Sequence, residues 1–175
     1  MGKGKFLMIL AVDVDYGEQG ALVAGVLFKE WFEEKAEKIL YTEINKVSEY
    51  KSGEFYRREL PCILSLIEEH KLKPSVIVID GYVSLGEKSC PGLGKYLYDA
   101  LNGETKIIGV AKKPYKDTPY NTNLLRGKSS KPLYVTTVGV ELDVAKGYIK
   151  SMHGKNRIPS LLKLADTACR RKLTN

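Results

Sequence analysis

The chain has 175 residues, 43% of them hydrophobic, which suits one domain over residues 1–175; no apolar run approaches the ~20 residues of a membrane span. Its two histidines and three cysteines, with no CxxC pair, argue against a zinc site and favour a reducing, cytoplasmic compartment. The net charge of +7 indicates a polyanionic partner, although solubility alone also explains it.

The first half of the chain predicts three strands and then a helix. Three segments rich in β-branched and aromatic residues are separated by polar turns and predict an antiparallel meander: FLMILAVDVDY, ALVAGVLFKEW and KILYTEINKV. From Phe55 to Lys71 the apolar residues fall at helical spacing. Pro61 lies inside this run and predicts either a kink or a helix that begins later.

The second half alternates strands with helices. Strands are predicted at Val76–Ile79, Lys106–Ala111 and Leu133–Val138, and helices at about 93–101, 141–152 and 159–172. A basic loop, residues 112–131, lies between the last two strands. This order predicts an α/β mixed sheet, with three antiparallel strands and then parallel strands joined by right-handed crossovers. Helices are expected on both faces of the sheet.

Four carboxylates lie in apolar surroundings. Asp13 is in the first strand, Asp80 directly follows a buried strand, and Glu59 and Asp166 lie in predicted helices. Each has an ordinary explanation: a turn cap, a charge at a helix start, or an ion pair between Asp166 and Arg170. Together they predict a shared Mg²⁺ or Mn²⁺ site, since buried carboxylates need partners and ligands bind beyond the carboxyl ends of strands. Such ions support phosphodiester hydrolysis.

Around these acids the sequence resembles the endonuclease V family. The similar segments, in chain order, are AVDVDY, EYKSGEFYRRELP, PSVIVIDG, PGLGKYL, IIGVAKKPY, KPLYVTTVG and NRIPSLLKLAD. The resemblance implies a ribonuclease H-like fold and a Mg²⁺-dependent endonuclease that nicks DNA or RNA near a deaminated purine, chiefly inosine. By position it places the family's metal-binding acids on Asp13, Glu59, Asp80 and Asp166. The family's active-site lysine falls on Lys112.

The resemblance also implies a set of nucleic-acid contacts. The family's wedge tyrosine, which separates the strand beside the lesion, falls on Tyr50. The expected pocket for a flipped base is lined by backbone at Gly53, Gly81, Gly92 and Gly94. Apart from the resemblance, the segment KNRIP could place Arg157 or Lys155 on a phosphate, and Lys113 is also expected on the nucleic acid. In the basic loop, Tyr115 and Tyr120 lie among lysines, a pattern that suits a phosphate backbone with stacked bases but also a plain solvated loop.

Three departures from the family pattern bear on the substrate. Val83 replaces the second glycine of an Asp-Gly-x-Gly turn, the His-Pro-Arg that follows it is absent, and Ser52 replaces a proline in the wedge turn. Two alternatives therefore stay open: a nuclease of the same fold with another DNA or RNA substrate, and a non-catalytic nucleic-acid-binding module. In each case the expected partner is single-stranded or locally unpaired nucleic acid, bound by a monomer away from membranes.

Overall fold

The apolar runs of the sequence form the strands of one large sheet. The computed structural model describes residues 7–18, 20–47, 49 and 54–171. Its strands are β1 (Ile9–Tyr16), β2 (Ala21–Phe28), β3 (Lys38–Ile44), β4 (Val76–Ile79), β5 (Ser84–Leu85), β6 (Cys90–Pro91), β7 (Lys106–Ala111), β8 (Asn123–Leu124) and β9 (Leu133–Val138). Its helices are α1 (Phe55–Glu69), α2 (Leu93–Ala100), α3 (Leu142–Ser151) and α4 (Ser160–Arg171). None of these helices is long and apolar enough to cross a membrane.

Seven strands form a mixed sheet in the order β3-β2-β1-β4-β7-β9-β8, and β5 and β6 form a separate hairpin. The first three strands are antiparallel, as predicted, and β4 and β7 extend the sheet in parallel with β1. Parallel pairing of the whole second half is a wrong prediction, because β9 runs antiparallel to β7. Parallel neighbours need a crossover connection, which is usually a helix. The connection from β7 to β9, residues 112–132, contains only a 3-10 turn (Tyr120–Thr122) and β8, so the chain returns in the antiparallel direction.

Both faces of the sheet are covered, because the strands alternate their apolar side chains between the faces. In β1, Ile9 and Ala11 pack in one cluster with side chains of α3 and α4. Leu10 and Val12 pack on the opposite face with side chains of α1 and α2. The predicted helices on both faces are confirmed, and the carboxyl edge of β1, β4 and β7 is the expected place for a ligand.

Helix α1 begins at Phe55 and contains Pro61, so the alternative of a helix that begins later than the pattern is wrong. Pro61 and Arg57 both lie on the exposed side of the helix. Because proline has no backbone N–H, the carbonyl of Arg57 lacks the hydrogen bond that residue 61 would otherwise donate. Water can satisfy an exposed carbonyl, which explains why the helix continues. The early start brings Glu59 into the second turn of α1.

Two glycines in helices offer a matched test of the packing. A Cβ on Gly94, in α2, would lie 2.5 Å from the side chain of Val83 and 2.7 Å from its Cα, whereas a Cβ on Gly147, in α3, would meet nothing within 4 Å. We expect Gly94→Ala to lower the free energy of unfolding by roughly 1–3 kcal/mol through overpacking. Gly147→Ala should raise it by roughly 0.5–1 kcal/mol through helix propensity. Urea unfolding of both variants decides this, and equal effects would contradict the packing of α2 on Val83.

Candidate active site

Asp13 and Asp80 lie side by side at the carboxyl edge of the sheet. β1 and β4 are parallel, and Val12 of β1 is in register with Ile79 of β4, so the next residue of each chain segment is an aspartate. By strand alternation Asp13 shares its face with Ala11, which packs in the cluster that includes α4. The local sequence thus explains the arrangement: two apolar parallel strands of matched register each continue into an acid.

Glu59 reaches the site from α1, on the other face of the sheet. It is 5% exposed, and its Oε2 accepts a hydrogen bond of 2.8 Å from the hydroxyl of Tyr16, at the end of β1. The guanidinium carbon of Arg58 lies 3.5 Å from the centre of the same tyrosine ring. The hydroxyl of Tyr16 therefore positions one carboxylate oxygen of Glu59. The guanidinium of Arg58 is close enough to the Tyr16 ring for a cation–π contact.

Asp166 reaches the site from α4. It forms an ion pair with Arg170 in which Oδ1 lies 3.0 Å from Nη2, so the pairing expected one turn later on the helix is confirmed. The pair does not remove Asp166 from the site, since its charge also contributes to raising the pKa of Asp13 and of Asp80. Asp166 thus forms an ion pair within α4 and also lies near the other acids of the site.

The pKa values report how strongly these carboxylates are buried and crowded. Burial, followed by the charge of Asp80, raises the pKa of Asp13 from 3.8 to about 7, against the hydrogen bond that Val14 N–H donates to it. Burial also raises the pKa of Glu59 from 4.5 to about 8; the Tyr16 hydrogen bond opposes this rise, and the charges of Asp13 and Asp80 add to it. For Asp80, burial raises the pKa while Lys112 opposes the rise. The acids are desolvated and repel one another.

Lys112 directly follows β7, and its Nζ lies 3.6 Å from Oδ2 of Asp80. The two side chains are 35% and 40% exposed, so the pair is open to water and contributes little to stability. The ion pair instead positions the Lys112 ammonium at the edge of the sheet where Asp13 and Asp80 lie. The same three residues line a cavity together with apolar side chains of the sheet and of the region around α4, among them Val110, Leu133, Ile158 and Leu162.

The donor set of this site fits a hard divalent ion. Within the described parts of the chain, no three acidic, histidine or cysteine side chains converge closely enough to hold an ion as they stand. The four acids offer only carboxylate oxygens, which are the ligands that Mg²⁺ and Mn²⁺ prefer. A cation among them would also relieve the repulsion that raises the pKa values of Asp13 and Glu59.

Two of the glycines expected around a flipped base, Gly92 and Gly94, have close neighbours within the chain itself. Gly81 has φ +147°, a conformation that favours glycine, and open space where a side chain would be. A Cβ on Gly92 would lie 2.9 Å from the carbonyl oxygen of Tyr82, and Gly94 packs against Val83. Val83 is 2% exposed and its N–H donates to Oγ1 of Thr136 at 2.8 Å. The segment after Asp80 is therefore closely packed at Gly92 and Gly94 but open at Gly81, and base binding at these glycines stays a prediction.

The remaining predicted contacts fall into two groups. Tyr50 and Gly53 lie outside the described residues. Lys113 is exposed, and its carbonyl accepts a hydrogen bond of 2.6 Å from the hydroxyl of Tyr82. Arg157 is half-buried and its Nη2 donates to two backbone carbonyls of the chain, at Lys112 and at Pro132. A phosphate contact for Lys113 or Arg157 stays a prediction.

Sequence reasoning missed two residues that shape this site. Tyr16 alternates with Asp13 along β1 and lies on the face that α1 covers, and this alternation is a signal in the sequence for its bond to Glu59. Arg126 lies in a segment expected to be a basic loop, yet it is 6% exposed. No local pattern distinguishes it from the exposed basic residues around it.

The fold and the acids define an α/β protein with a buried acidic site at the carboxyl edge of its parallel strands. No family model matches the chain. Endonuclease V of Streptomyces avermitilis is 30% identical over 190 aligned positions, which cover 94% of this chain and 80% of that protein. The solved structure of Bacillus subtilis endonuclease V matches with a TM-score of 0.76 and 19% identity, over 95% of this chain and 81% of that one.

A Ciona intestinalis endonuclease V solved with DNA that contains an inosine matches with a TM-score of 0.73 and 24% identity, over 98% of this chain and 87% of that one. These two structural matches confirm the predicted fold class. Given the identity to the Streptomyces protein and the share of its length that is covered, this chain belongs to the endonuclease V family.

Proposed function

We propose that this protein is a metal-dependent endonuclease that hydrolyses a phosphodiester bond near a deaminated purine in DNA or RNA. The observation that carries the proposal is the meeting of Asp13 and Asp80 where the paired register of β1 and β4 ends, with Glu59 and Asp166 brought to them by helices. Membership of the endonuclease V family and the charge of +7 support it. The inosine-containing DNA bound by the Ciona relative supports the choice of lesion.

The chemistry follows from the charges at the site. The residues that would hold Mg²⁺ or Mn²⁺ are Asp13, Glu59, Asp80 and Asp166. When bound, such an ion supplies charge stabilisation to a phosphoryl group and a more acidic water. The ammonium of Lys112, 3.6 Å from Asp80, stabilises negative charge on a phosphate at the same edge. Tyr16 orients Glu59 through its hydroxyl.

A second candidate is a nuclease of the same fold that reads another substrate. Val83, which replaces a glycine of the family's turn, is a buried residue that packs against Gly94. In the turn expected to receive the base, a side chain of this protein therefore packs against the Gly94 position, while the space at Gly81 stays open. A non-catalytic binding module is disfavoured, because buried acids without a metal would repel a phosphate backbone.

Cleavage of matched oligonucleotides tests the proposal. Single strands of DNA and of RNA, each with one inosine or none, are incubated with the protein and Mg²⁺ or Mn²⁺. A nick near inosine alone supports the deaminated-purine function. Cutting of both strands alike establishes the second candidate. Binding with no cut under either ion favours the binding module.

The basic loop is the proposed surface for the nucleic acid, which a monomer binds as a single or locally unpaired strand. Residues 112–131 contain several lysines and Asp117 as their one acid. Tyr120 is 86% exposed, and its turn is held by the Lys146 ammonium on the carbonyl of Asn121 at 2.8 Å. An exposed ring on an anchored turn beside basic residues suits base stacking.

Tyr120→Ala is therefore expected to weaken binding of a single-stranded oligonucleotide about tenfold, because stacking on one base contributes ~1–3 kcal/mol. Fluorescence anisotropy at fixed salt measures the change. Phe32→Ala is the matched control, since this 68% exposed ring lies in the loop after β2, at the opposite end of β1 from Asp13. An unchanged Kd for Tyr120→Ala, or an equal loss for Phe32→Ala, would remove the loop from the interface.

A further inference from the structure

Arg126 is a buried arginine whose hydrogen bonds go to backbone carbonyls. Its Nη1 donates to the carbonyl of Asn156 at 2.7 Å and to that of Arg157 at 3.3 Å. Its Nη2 donates to the carbonyls of Met152 at 2.7 Å and of Gly154 at 3.0 Å. One guanidinium thus binds the segment between α3 and α4 at four points. This segment, residues 152–159, is called the α3–α4 loop below.

These bonds explain why a charged group is tolerated in the interior. A buried cation is costly unless its donors are satisfied, and the four carbonyls satisfy the donors of both Nη groups. The carbonyl of Met152 ends α3, where the helix dipole favours a positive charge. Gly127 lies directly beneath the same loop, because a Cβ at this position would come 2.4 Å from the carbonyl oxygen of Lys155. The α3–α4 loop is therefore hydrogen-bonded by Arg126 and packs closely against Gly127.

Arg157, in that loop, makes the next connection. Its Nη2 donates to the carbonyl of Lys112 at 2.5 Å and to that of Pro132 at 2.7 Å. Lys112 follows β7 and Pro132 precedes β9, so one nitrogen joins the two ends of the connection between these strands. The Nε of Arg157 is buried and has no hydrogen-bond partner within the described chain, so this edge of the guanidinium also faces the interior.

We propose that Arg157, held in place by Arg126, is a positioning residue that fixes the backbone of Lys112 and so keeps its ammonium beside Asp80. It acts through Lys112 and makes no phosphate contact of its own. This assignment rests on the proposed function, in which Lys112 stabilises charge on the reacting phosphate. Ile158, the next residue after Arg157, lines the same cavity as Asp80 and Lys112, so the loop lies against the site.

Kinetics and binding separate positioning from phosphate contact. The variants are Arg157→Ala and Arg157→Lys, with Lys155→Ala as the control, an exposed cation of the same loop. The substrate is the inosine-containing strand, or the strand that the wild type cleaves. For Arg157→Ala we expect kcat to fall about 10- to 100-fold, as a displaced catalytic group costs, while Kd and its salt dependence stay near wild type. Added guanidinium ion should restore part of the rate.

The opposite pattern would overturn the proposal. A phosphate contact predicts weaker binding, a salt slope reduced by about 1, and a nearly unchanged kcat for Arg157→Ala. Arg157→Lys keeps the charge but loses the planar fork, so positioning predicts a reduced kcat for it, whereas charge alone predicts wild-type behaviour. If Arg157→Ala does not fold, Arg157→Lys alone decides between the two.

Hydrogen exchange gives a readout that needs no catalysis. Amides of residues 112–132 should exchange faster in Arg157→Lys and in Arg126→Lys than in the wild type, and unchanged in Lys155→Ala. If the wild type cleaves no strand but the exchange pattern holds, the proposed function fails and the Arg126–Arg157 connection stands. Unchanged exchange in both arginine variants overturns the connection, whatever the activity.

Discussion

Asp80→Ala is expected to reduce cleavage about 10³-fold while leaving oligonucleotide binding near the wild-type level. Asp80 is adjacent to Asp13 where the paired register of β1 and β4 ends, and it lies 3.6 Å from the ammonium of Lys112, so it connects the acids with a cation at this edge. In the proposed function Asp80 helps to hold the metal ion, so its removal forfeits several kcal/mol of charge stabilisation in the transition state, and each 1.36 kcal/mol is about tenfold in rate. Binding depends chiefly on basic residues elsewhere.

Single-turnover cleavage and anisotropy on the same oligonucleotide measure both quantities. Asp99→Ala is the control, because Asp99 is an exposed acid of α2 that pairs with Lys95 on the surface. Thermal unfolding checks the fold of Asp80→Ala, which should be at least as stable as the wild type because a repelling charge is gone. Cleavage that survives in Asp80→Ala would show that the reacting phosphate lies elsewhere.

Glu59→Gln is expected to stabilise the metal-free protein by ~2 kcal/mol at pH 8.5, or about 6 °C in Tm. Burial raises the pKa of Glu59 from 4.5 to about 8, so above pH 8 the wild type must fold with a desolvated charge. Glutamine keeps an oxygen for the Tyr16 hydroxyl and removes that charge. The figure is about half of what the full pKa shift implies, since relaxation and water reduce such effects.

The sign of the pH dependence follows from the raised pKa. The folded protein holds the Glu59 proton more tightly than the unfolded chain, so protonation stabilises the fold as pH falls from about 8 toward 4.5. The advantage of Glu59→Gln should therefore be largest at pH 8.5 and nearly absent at pH 4.5. Glu68→Gln, an exposed acid of the same helix, should show neither effect.

Metal titration completes this experiment. A cation that binds the folded acids adds stability by mass action, so Mg²⁺ or Mn²⁺ should raise the Tm of the wild type more than that of Glu59→Gln. Calorimetry in chelator and then in either ion measures the difference. Equal metal-induced shifts in the two proteins would exclude Glu59 from the ion, and a pH-independent difference in Tm would contradict its raised pKa.

Much of the fold was readable along the chain because its signals are local. The apolar run at Val76–Ile79 is β4 with the predicted bounds, and Lys106–Ala111 and Leu133–Val138 are strands as predicted. Strand alternation and helical spacing depend on neighbours a few residues away, and so do the turns that end them. The placement of Asp13 in β1 and of Asp80 directly after β4 follows from the same signals.

The sequence by itself thus determined the order of the elements, the two-sided core and the acids at the carboxyl edge. The tertiary structure decided what depends on residues far apart in the chain. It set the antiparallel direction of β9, the Tyr16 bond to Glu59, and the burial of Val83 in the turn after Asp80. It also turned Arg126 inward, because four carbonyls 26 to 31 residues away satisfy its charge. A pattern of neighbouring residues cannot reveal a partner at that separation.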